Sequence, residues 1–216
     1  MTTTATTDAS SPYAYQPSET ALLLLDWYSL FVERAAVPNA AAARDVTVQL
    51  RKWAKSQGIT VIHCLIDANS TLIPVIKDVE RIQGLLEIMK TLTNPEPTEL
   101  QDESEVYFQR DPAHISALKS PGLLEHLKEN GIKSLVLTGL TTSGCVLRTA
   151  ITATDAEFAT TVISDACADA DEERHRVILD KIVPMRGHVQ SRADFQHNFE
   201  VSAKASALGA SGTYTL

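Results

Sequence analysis

The chain has 216 residues, of which 44% are hydrophobic and 21% are charged, and its formal net charge is −8 at pH 7. These values predict one soluble globular domain and, because lysine and arginine do not cluster, argue against a nucleic-acid-binding surface. No apolar run is long enough to span a membrane, and the N-terminal residues lack the regions of a secretory signal. Three unevenly spaced cysteines indicate reduced thiols rather than disulfides, so we expect a cytoplasmic protein.

The elements predicted along the chain alternate between strands and helices. Residues 1–19 predict a flexible arm and residues 201–216 a polar tail, which leaves residues 20–200 as the folded domain. The predicted strands cover residues 21–25, 59–66, 105–109, 135–137, 160–163 and 188–189. The predicted helices cover residues 39–57, about 75–91, 120–130, 145–153 and 171–182, and an exposed loop is expected from residue 94. This alternation, with apolar strands, predicts an α/β fold whose parallel sheet carries helices on both faces.

The segment from residue 132 to 150 predicts a buried strand, a tight turn of glycine and hydroxyl residues, and a helix that begins at Cys145. The first N–H groups of a helix have no internal acceptor, and the helix dipole is positive there. A thiol at this position is expected to have a lowered pKa, and the free N–H groups can bind an oxyanion. The position alone is equally compatible with a nucleophile and with a small residue of the core.

Two other chemically useful residues follow predicted strands. Asp26 comes directly after the first strand and Arg110 after the third. Because ligands of parallel α/β sheets bind at the carboxyl ends of the strands, we expect Asp26, Arg110 and Cys145 to converge. An aspartate after five apolar residues is costly to desolvate without a partner, which favours a functional role over a turn cap.

At these positions the chain resembles the isochorismatase-like cysteine hydrolases, the superfamily of nicotinamidases, N-carbamoylsarcosine amidases and isochorismatases. Residues 139–146, GLTTSGCV, match the signature G-x-x-T-x-x-C-V, and Asp26 followed by Phe31 matches the first-strand pattern D-x-x-x-x-F. The later T-A and D-A landmarks are also present, so the resemblance covers roughly residues 21–195. It implies a six-stranded, mainly parallel sheet between two layers of helices, and a homo-oligomer of two or more copies.

The resemblance also implies a catalytic site. Asp26 would be the base, and Cys145 the nucleophile that forms a thioester with a small amide, imide or related carbonyl substrate. A cis peptide bond, expected between Thr141 and Thr142, would direct the N–H groups of Thr142 and Cys145 at the oxyanion. No cofactor is expected. Two alternatives stay open, namely vinyl ether hydrolysis that uses Asp26 alone, and a non-catalytic binding or regulatory member of the family.

The chain departs from the family where a lysine is expected after the third strand. Arg110 is the substitute by position, and no lysine lies between residues 90 and 119. Arginine can hold a carboxylate but cannot exchange a proton near neutral pH. A surface charge paired with Asp111 or Glu105 is the competing interpretation.

Substrate contacts are predicted from aromatic residues and one histidine. Tyr28 stands where the family has a glutamine, and with Trp27 it could line a pocket for a flat apolar substrate or simply pack in the core. Phe31 and His114 are further candidates. The segment at Asp67 lacks the histidine of the nicotinamidase metal motif, so no metal site is predicted.

Overall fold

The computed structural model describes residues 8–33, 38–72, 75–92 and 95–211, with side chains as far as residue 205. A single six-stranded sheet runs through these residues. Its strands are β1 (Thr20–Leu25), β2 (Thr60–Ile66), β3 (Val106–Arg110), β4 (Ser134–Leu140), β5 (Ala159–Ala168) and β6 (His188–Gln190). The order is β3-β2-β1-β4-β5-β6 and every neighbouring pair is parallel, which confirms the predicted α/β fold.

Helices cover both faces of the sheet. They are α1 (Ser29–Glu33), α2 (Ala40–Gln57), α3 (Val79–Lys90), α4 (Leu123–Glu129), α5 (Leu147–Asp155), α6 (Glu172–Val177) and α7 (Arg192–Ser211). Residues of α2 and α7 pack with Leu22 and Leu24 of β1, whereas residues of α4 and α5 pack with Leu23 and Leu25. Successive strand residues point to opposite faces, so the unbroken leucine run of β1 fills both cores.

β1 and β4 lie side by side, and their close approach depends on Gly139. A Cβ atom there would lie 2.2 Å from the carbonyl oxygen of Leu25, and φ of Gly139 is +149°, so only glycine fits. β2 and β3 extend the sheet on one side of this pair, and β5 and β6 extend it on the other. The crevice beyond the carboxyl ends of β1 and β4 is therefore the topological switch point, where α/β folds bind ligands.

A buried ionic network joins β2 to the segment before β3. The imidazole of His63 is fully buried, with Nδ1 2.8 Å from Glu96 Oε1 and Nε2 2.8 Å from Glu105 Oε2. Arg51 of α2 donates a hydrogen bond to Glu105, and Tyr107 stacks on the imidazole. Burial opposes the imidazolium, but the two carboxylates outweigh it and hold the pKa of His63 above its usual value. The segment predicted as an exposed loop is thus anchored in the core.

The described ends of the chain carry more structure than the predicted arm and tail. Pro12–Ala14 and Pro17–Glu19 form short 3-10 helices, and Ser202 Oγ donates a 2.9 Å hydrogen bond to the carbonyl oxygen of Tyr13. α7 continues to Ser211 through a stretch rich in alanine, the residue that most favours helix. Residues 1–7 and 212–216 lie outside the described part of the chain.

Four helices differ from the predicted bounds. α3 begins at Val79 rather than at about residue 75, and α5 begins at Leu147, so the prediction that this helix starts at Cys145 is wrong by two residues. α4 begins at Leu123 rather than at residue 120, because Gly122 takes the N-cap position with φ of +80°. The helix predicted over residues 171–182 is α6 followed by a wider π-helical turn at Ile178–Ile182. Within the described ranges, none of these helices has the length and apolar character needed to cross a membrane.

Candidate active site

The carboxyl ends of β1, β3 and β4 bring Asp26, Arg110 and Cys145 to one cavity. All three side chains belong to buried residues, which are 3%, 2% and 3% exposed, respectively. The sequence places these residues about 85, 35 and 120 positions apart, so only the parallel sheet brings them together. Their meeting at this edge is the arrangement expected from their positions at the ends of parallel strands.

Asp26 leaves β1 in a left-handed conformation, with φ of 53°. Its N–H still continues the sheet by donating to the carbonyl oxygen of Cys64 at 3.0 Å, while its own carbonyl oxygen accepts from the N–H of Tyr28 at 2.8 Å. Aspartate is among the few residues other than glycine that tolerate this conformation. The strand therefore ends at Asp26, whose carboxylate lies at the edge of the sheet.

Arg110 holds the carboxylate of Asp26 through a pair of hydrogen bonds. Its Nη1 donates to Asp26 Oδ1 at 2.8 Å and its Nη2 donates to Oδ2 at 2.6 Å. The guanidinium also donates from Nε to the carbonyl oxygen of His114 at 2.9 Å and from Nη1 to that of Leu65 at 3.3 Å. Paired hydrogen bonds of this kind fix the geometry of both groups as well as their charge.

The ion pair supplies a permanent cation beside Cys145. Burial opposes a charged guanidinium, but Asp26 outweighs this effect and keeps the pKa of Arg110 above its usual value. Arginine does not release a proton near neutral pH, so it cannot act as a proton shuttle. The competing interpretation, a surface arginine paired with Asp111 or Glu105, is wrong because the guanidinium is buried against Asp26.

Cys145 lies in the wide turn Thr142–Val146 that leads into α5. Its Sγ is 3.7 Å from the hydroxyl oxygen of Thr149. Burial raises the pKa of the thiol, the Asp26 carboxylate raises it further, and Arg110 lowers it only in part. The expectation of a lowered pKa is therefore wrong for the resting protein, since burial and the Asp26 carboxylate together outweigh Arg110. The resting thiol is protonated and needs a base.

The cis peptide bond joins Leu140 to Thr141, so the predicted bond between Thr141 and Thr142 is wrong by one residue. The reason lies in the length of β4. The strand continues through Gly139 to Leu140, whereas the sequence pattern places Gly139 already in the turn. The turn that carries the nucleophile starts at the last strand residue.

Most N–H groups of this turn have acceptors inside the protein. They are the N–H groups of Ser143, Gly144 and Val146, and the N–H of Leu147 at the start of α5 also has an acceptor. Thr142 and Cys145, which are predicted as the oxyanion donors, belong to the same turn. The distribution of hydrogen bonds is compatible with that role, and the oxyanion hole stays a prediction.

The cavity beside Cys145 has a volume of about 330 Å³. Phe31 and His114, two of the predicted substrate contacts, line it. A second wall comes from α3, through Arg81 and three apolar side chains, Ile82, Leu85 and Leu86. The sequence gives no signal for this wall, because an amphipathic helix has the same pattern whether it covers a core or a cavity.

Trp27 and Tyr28 do not line this cavity, so their prediction as substrate contacts is wrong. Trp27 is fully buried among core residues, and its Nε1 donates to Thr138 Oγ1 at 3.2 Å. The hydroxyl of Tyr28 accepts from the N–H of Ile66 at 2.7 Å and donates to the carbonyl oxygen of the same residue at 2.9 Å. Both aromatic residues therefore brace the strand ends that carry the site.

No cluster of three or more His, Cys, Asp or Glu side chains suited to a metal ion occurs in the part of the chain that the structure describes. Cys64 and Cys167 are buried free thiols. The polar side chains that line the cavity are those of Asp26, Arg110 and Cys145 together with Arg81, His114 and Thr141.

A three-layer α/β domain with a carboxylate and a thiol at its switch point is the architecture of a cysteine hydrolase. The family model described as the Isochorismatase domain matches residues 20–194. The chain therefore belongs to the isochorismatase family of hydrolases. A comparison with proteins of curated function gives no match.

Solved structures share the fold at low sequence identity. An isochorismatase family protein from Burkholderia thailandensis is 21% identical, with a TM-score of 0.69 over 85% of this chain and 96% of that chain. A cysteine hydrolase from Pseudomonas syringae pv. phaseolicola is 19% identical, with a TM-score of 0.70 over 87% and 95%. N-carbamoylsarcosine amidase from Thermoplasma acidophilum is 20% identical, with a TM-score of 0.64 over 81% and 96%.

Proposed function

We propose that the chain is a cysteine hydrolase that cleaves a small amide, imide or related carbonyl compound through a thioester on Cys145. The observation that carries the proposal is the position of a buried thiol beside a carboxylate and a fixed cation on one cavity. A protonated nucleophile with an adjacent base is the arrangement that covalent catalysis requires. The similarity to the N-carbamoylsarcosine amidase fold is a secondary support.

In the proposed reaction, Asp26 takes the proton from Cys145 as the sulfur attacks the carbonyl carbon and the C–S bond forms. The N–H groups of Thr142 and Cys145 stabilise the oxyanion. When the C–N bond breaks, Asp26 gives its proton to the leaving nitrogen. Asp26 then takes a proton from water as the oxygen attacks the thioester carbon, and the proton returns to sulfur when the C–S bond breaks. One amide and one water give one acid and one amine.

Arg110 has an electrostatic role in this scheme. It keeps Asp26 oriented through two hydrogen bonds and offsets the negative charge that appears on sulfur. Each carboxylate oxygen has a second lone pair, so the ion pair leaves acceptor capacity for the thiol proton. A lysine at this position could also give up a proton, which Arg110 does not do.

The substrate is expected to be compact and partly apolar, because the cavity is small and much of its wall is formed by residues such as Phe31 and Ile82. Arg81 places an additional positive charge at the wall. We further propose that the protein acts in the cytoplasm as a homo-oligomer. Trp27 is buried and cannot contribute to a subunit contact, whereas Ile151 of α5 is exposed and can.

The test is turnover of a panel of small amides and imides, neutral and carboxylated, by the wild-type chain and by Cys145→Ala. Loss of turnover with an unchanged circular dichroism spectrum is expected, together with an acyl adduct on Cys145 in intact-protein mass spectrometry. Asp26→Asn should also be inactive and should form no adduct. Wild-type rates in Cys145→Ala would reject the thioester and favour the vinyl ether chemistry of Asp26 alone.

A further inference from the structure

We infer that His175 and Asp169 are positioning residues for the turn that carries Cys145. Asp169 follows β5 directly, and His175 lies on α6. The hydroxyl oxygen of Thr142 is 2.8 Å from His175 Nδ1, and the N–H of Ser143 donates to Asp169 Oδ2 at 2.7 Å. Neither His175 nor Asp169 lines the cavity, so both would act through the turn. This inference rests on the proposed function.

The two contacts fix the peptide unit between Thr142 and Ser143. Its N–H is committed to Asp169, and because a trans peptide is planar its carbonyl oxygen points the opposite way. There it accepts the N–H of Leu147, the first residue of α5. Thr142 is fully buried and Asp169 is 4% exposed, so these hydrogen bonds lie in a medium where they are strong and directional.

Asp169 is itself held in place by hydrogen bonds. Asp169 Oδ1 accepts from Arg174 Nε and from the N–H of Asp171, each at 3.2 Å. Asp171 caps α6 by accepting from the N–H of Arg174 at 2.9 Å. Burial opposes ionisation of Asp169, but hydrogen bonds from Ser143 outweigh it and hold the pKa of Asp169 below its usual value. The first turn of α6 thus holds Asp169 in place, and the same helix brings His175 to the turn that carries Cys145.

A turn that carries oxyanion donors must be placed to within a fraction of an ångström, because small displacements of such donors weaken transition-state stabilisation. The first variant is therefore His175→Leu, which removes the contact to Thr142. The matched variant is His175→Asn, whose amide places a polar atom close to the position of Nδ1. His126→Leu is the control, since His126 is a partly buried histidine on α4 that packs against Phe108, away from the cavity.

In His175→Leu we expect kcat to fall by about 10- to 100-fold while KM changes by less than about twofold, because the loss is confined to the transition state. In His175→Asn we expect kcat within about threefold of wild type. His126→Leu should match wild type. A kcat of His175→Leu within twofold of wild type, or a loss in His175→Asn as large as in His175→Leu, would overturn the inference.

Thr142→Val provides a second test, since it keeps the side-chain shape and removes the hydroxyl. If His175 acts through Thr142, the double variant should lose no more kcat than the worse single variant. Losses that multiply would show that His175 acts elsewhere and would overturn the inference.

The reaction of Cys145 with p-nitrophenyl acetate distinguishes failure of this inference from failure of the proposed function. Acetylation of Cys145 by p-nitrophenyl acetate is measured as the burst of nitrophenolate, in which the C–S bond forms and the ester C–O bond breaks. Absence of a Cys145 adduct in the wild-type chain rejects the proposed function. An adduct in wild type, with equal burst rates in His175→Leu, rejects the positioning role alone.

Discussion

Replacing Arg110 with alanine should destabilise the protein by about 3–5 kcal/mol, since it removes one partner of a buried ion pair. The structure shows what is lost. Two charged hydrogen bonds to Asp26, at 2.8 and 2.6 Å, disappear together with those to the carbonyl oxygens of His114 and Leu65. The carboxylate of Asp26 then stays buried without its cation, and this uncompensated charge is the largest part of the cost.

Two further variants separate charge from shape. Arg110→Lys keeps the cation but loses the paired geometry, so it should retain part of the stability and part of the turnover. Asp26→Asn in the Arg110→Ala background removes the unpaired charge, so the double variant should be more stable than Arg110→Ala alone. Urea unfolding at neutral pH measures both, with the m-value as a check that the transition stays two-state.

The same substitution tests the chemistry. Arg110 lowers the pKa of the Cys145 thiol against the opposing effects of burial and Asp26, so its removal should raise that pKa further. Thiol labelling of Cys145 should then need a more alkaline medium than in wild type, and turnover should fall by about 100-fold or more, as for a lost oxyanion donor. A cost below about 1 kcal/mol with unchanged labelling would refute the assigned role of the buried pair.

Three other expectations follow from the structure. Wild-type Cys145 should react slowly with iodoacetamide at neutral pH and faster in alkaline medium, because its pKa is raised; rapid labelling at neutral pH would contradict this. His63→Gln should cost more stability near pH 6 than near pH 9. The raised pKa of His63 in the folded state stabilises the protein below the unfolded pKa of about 6.5, and this stabilisation is lost as the pH rises through the folded value. An equal cost at both pH values in urea titrations would contradict this expectation. Light scattering should give at least twice the 23.5 kDa chain mass. The substitutions Ile151→Glu and Met185→Glu, at residues that are 41% and 78% exposed, should reduce the mass to 23.5 kDa. A monomeric wild type would argue against the oligomer.

The central strands were predictable because strands buried on both faces are rich in apolar residues, as in residues 21–25 of β1 and 135–137 of β4. The strand ends then indicated Asp26, Arg110 and Cys145. Their electrostatics were not predictable in the same way. The pKa of Cys145 depends on its desolvation, which strand ends do not indicate, whereas the position of Arg110 beside Asp26 is the one expected for a substitute of the family lysine.

The aromatic residues after β1 show a different limit. Trp27 and Tyr28 are aromatic residues of the kind that line binding pockets, yet each side chain is held by a hydrogen bond to a neighbouring strand. The chain leaves β1 through a left-handed conformation at Asp26, directly before these two residues. The strand pattern does not encode this local conformation, so it could not distinguish packing in the core from contact with the cavity.

The strand order also sets a minimum length for the side chain at position 110. β2 lies between β1 and β3, so the backbones that carry Asp26 and Arg110 are separated by two strand spacings, or about 10 Å. Arg110 crosses this gap over the end of β2, where it also donates to the carbonyl oxygen of Leu65. Only the two longest cationic side chains can span such a distance. The spacing of the strands therefore predicts that, of the possible residues at position 110, only lysine and arginine can keep the ion pair with Asp26.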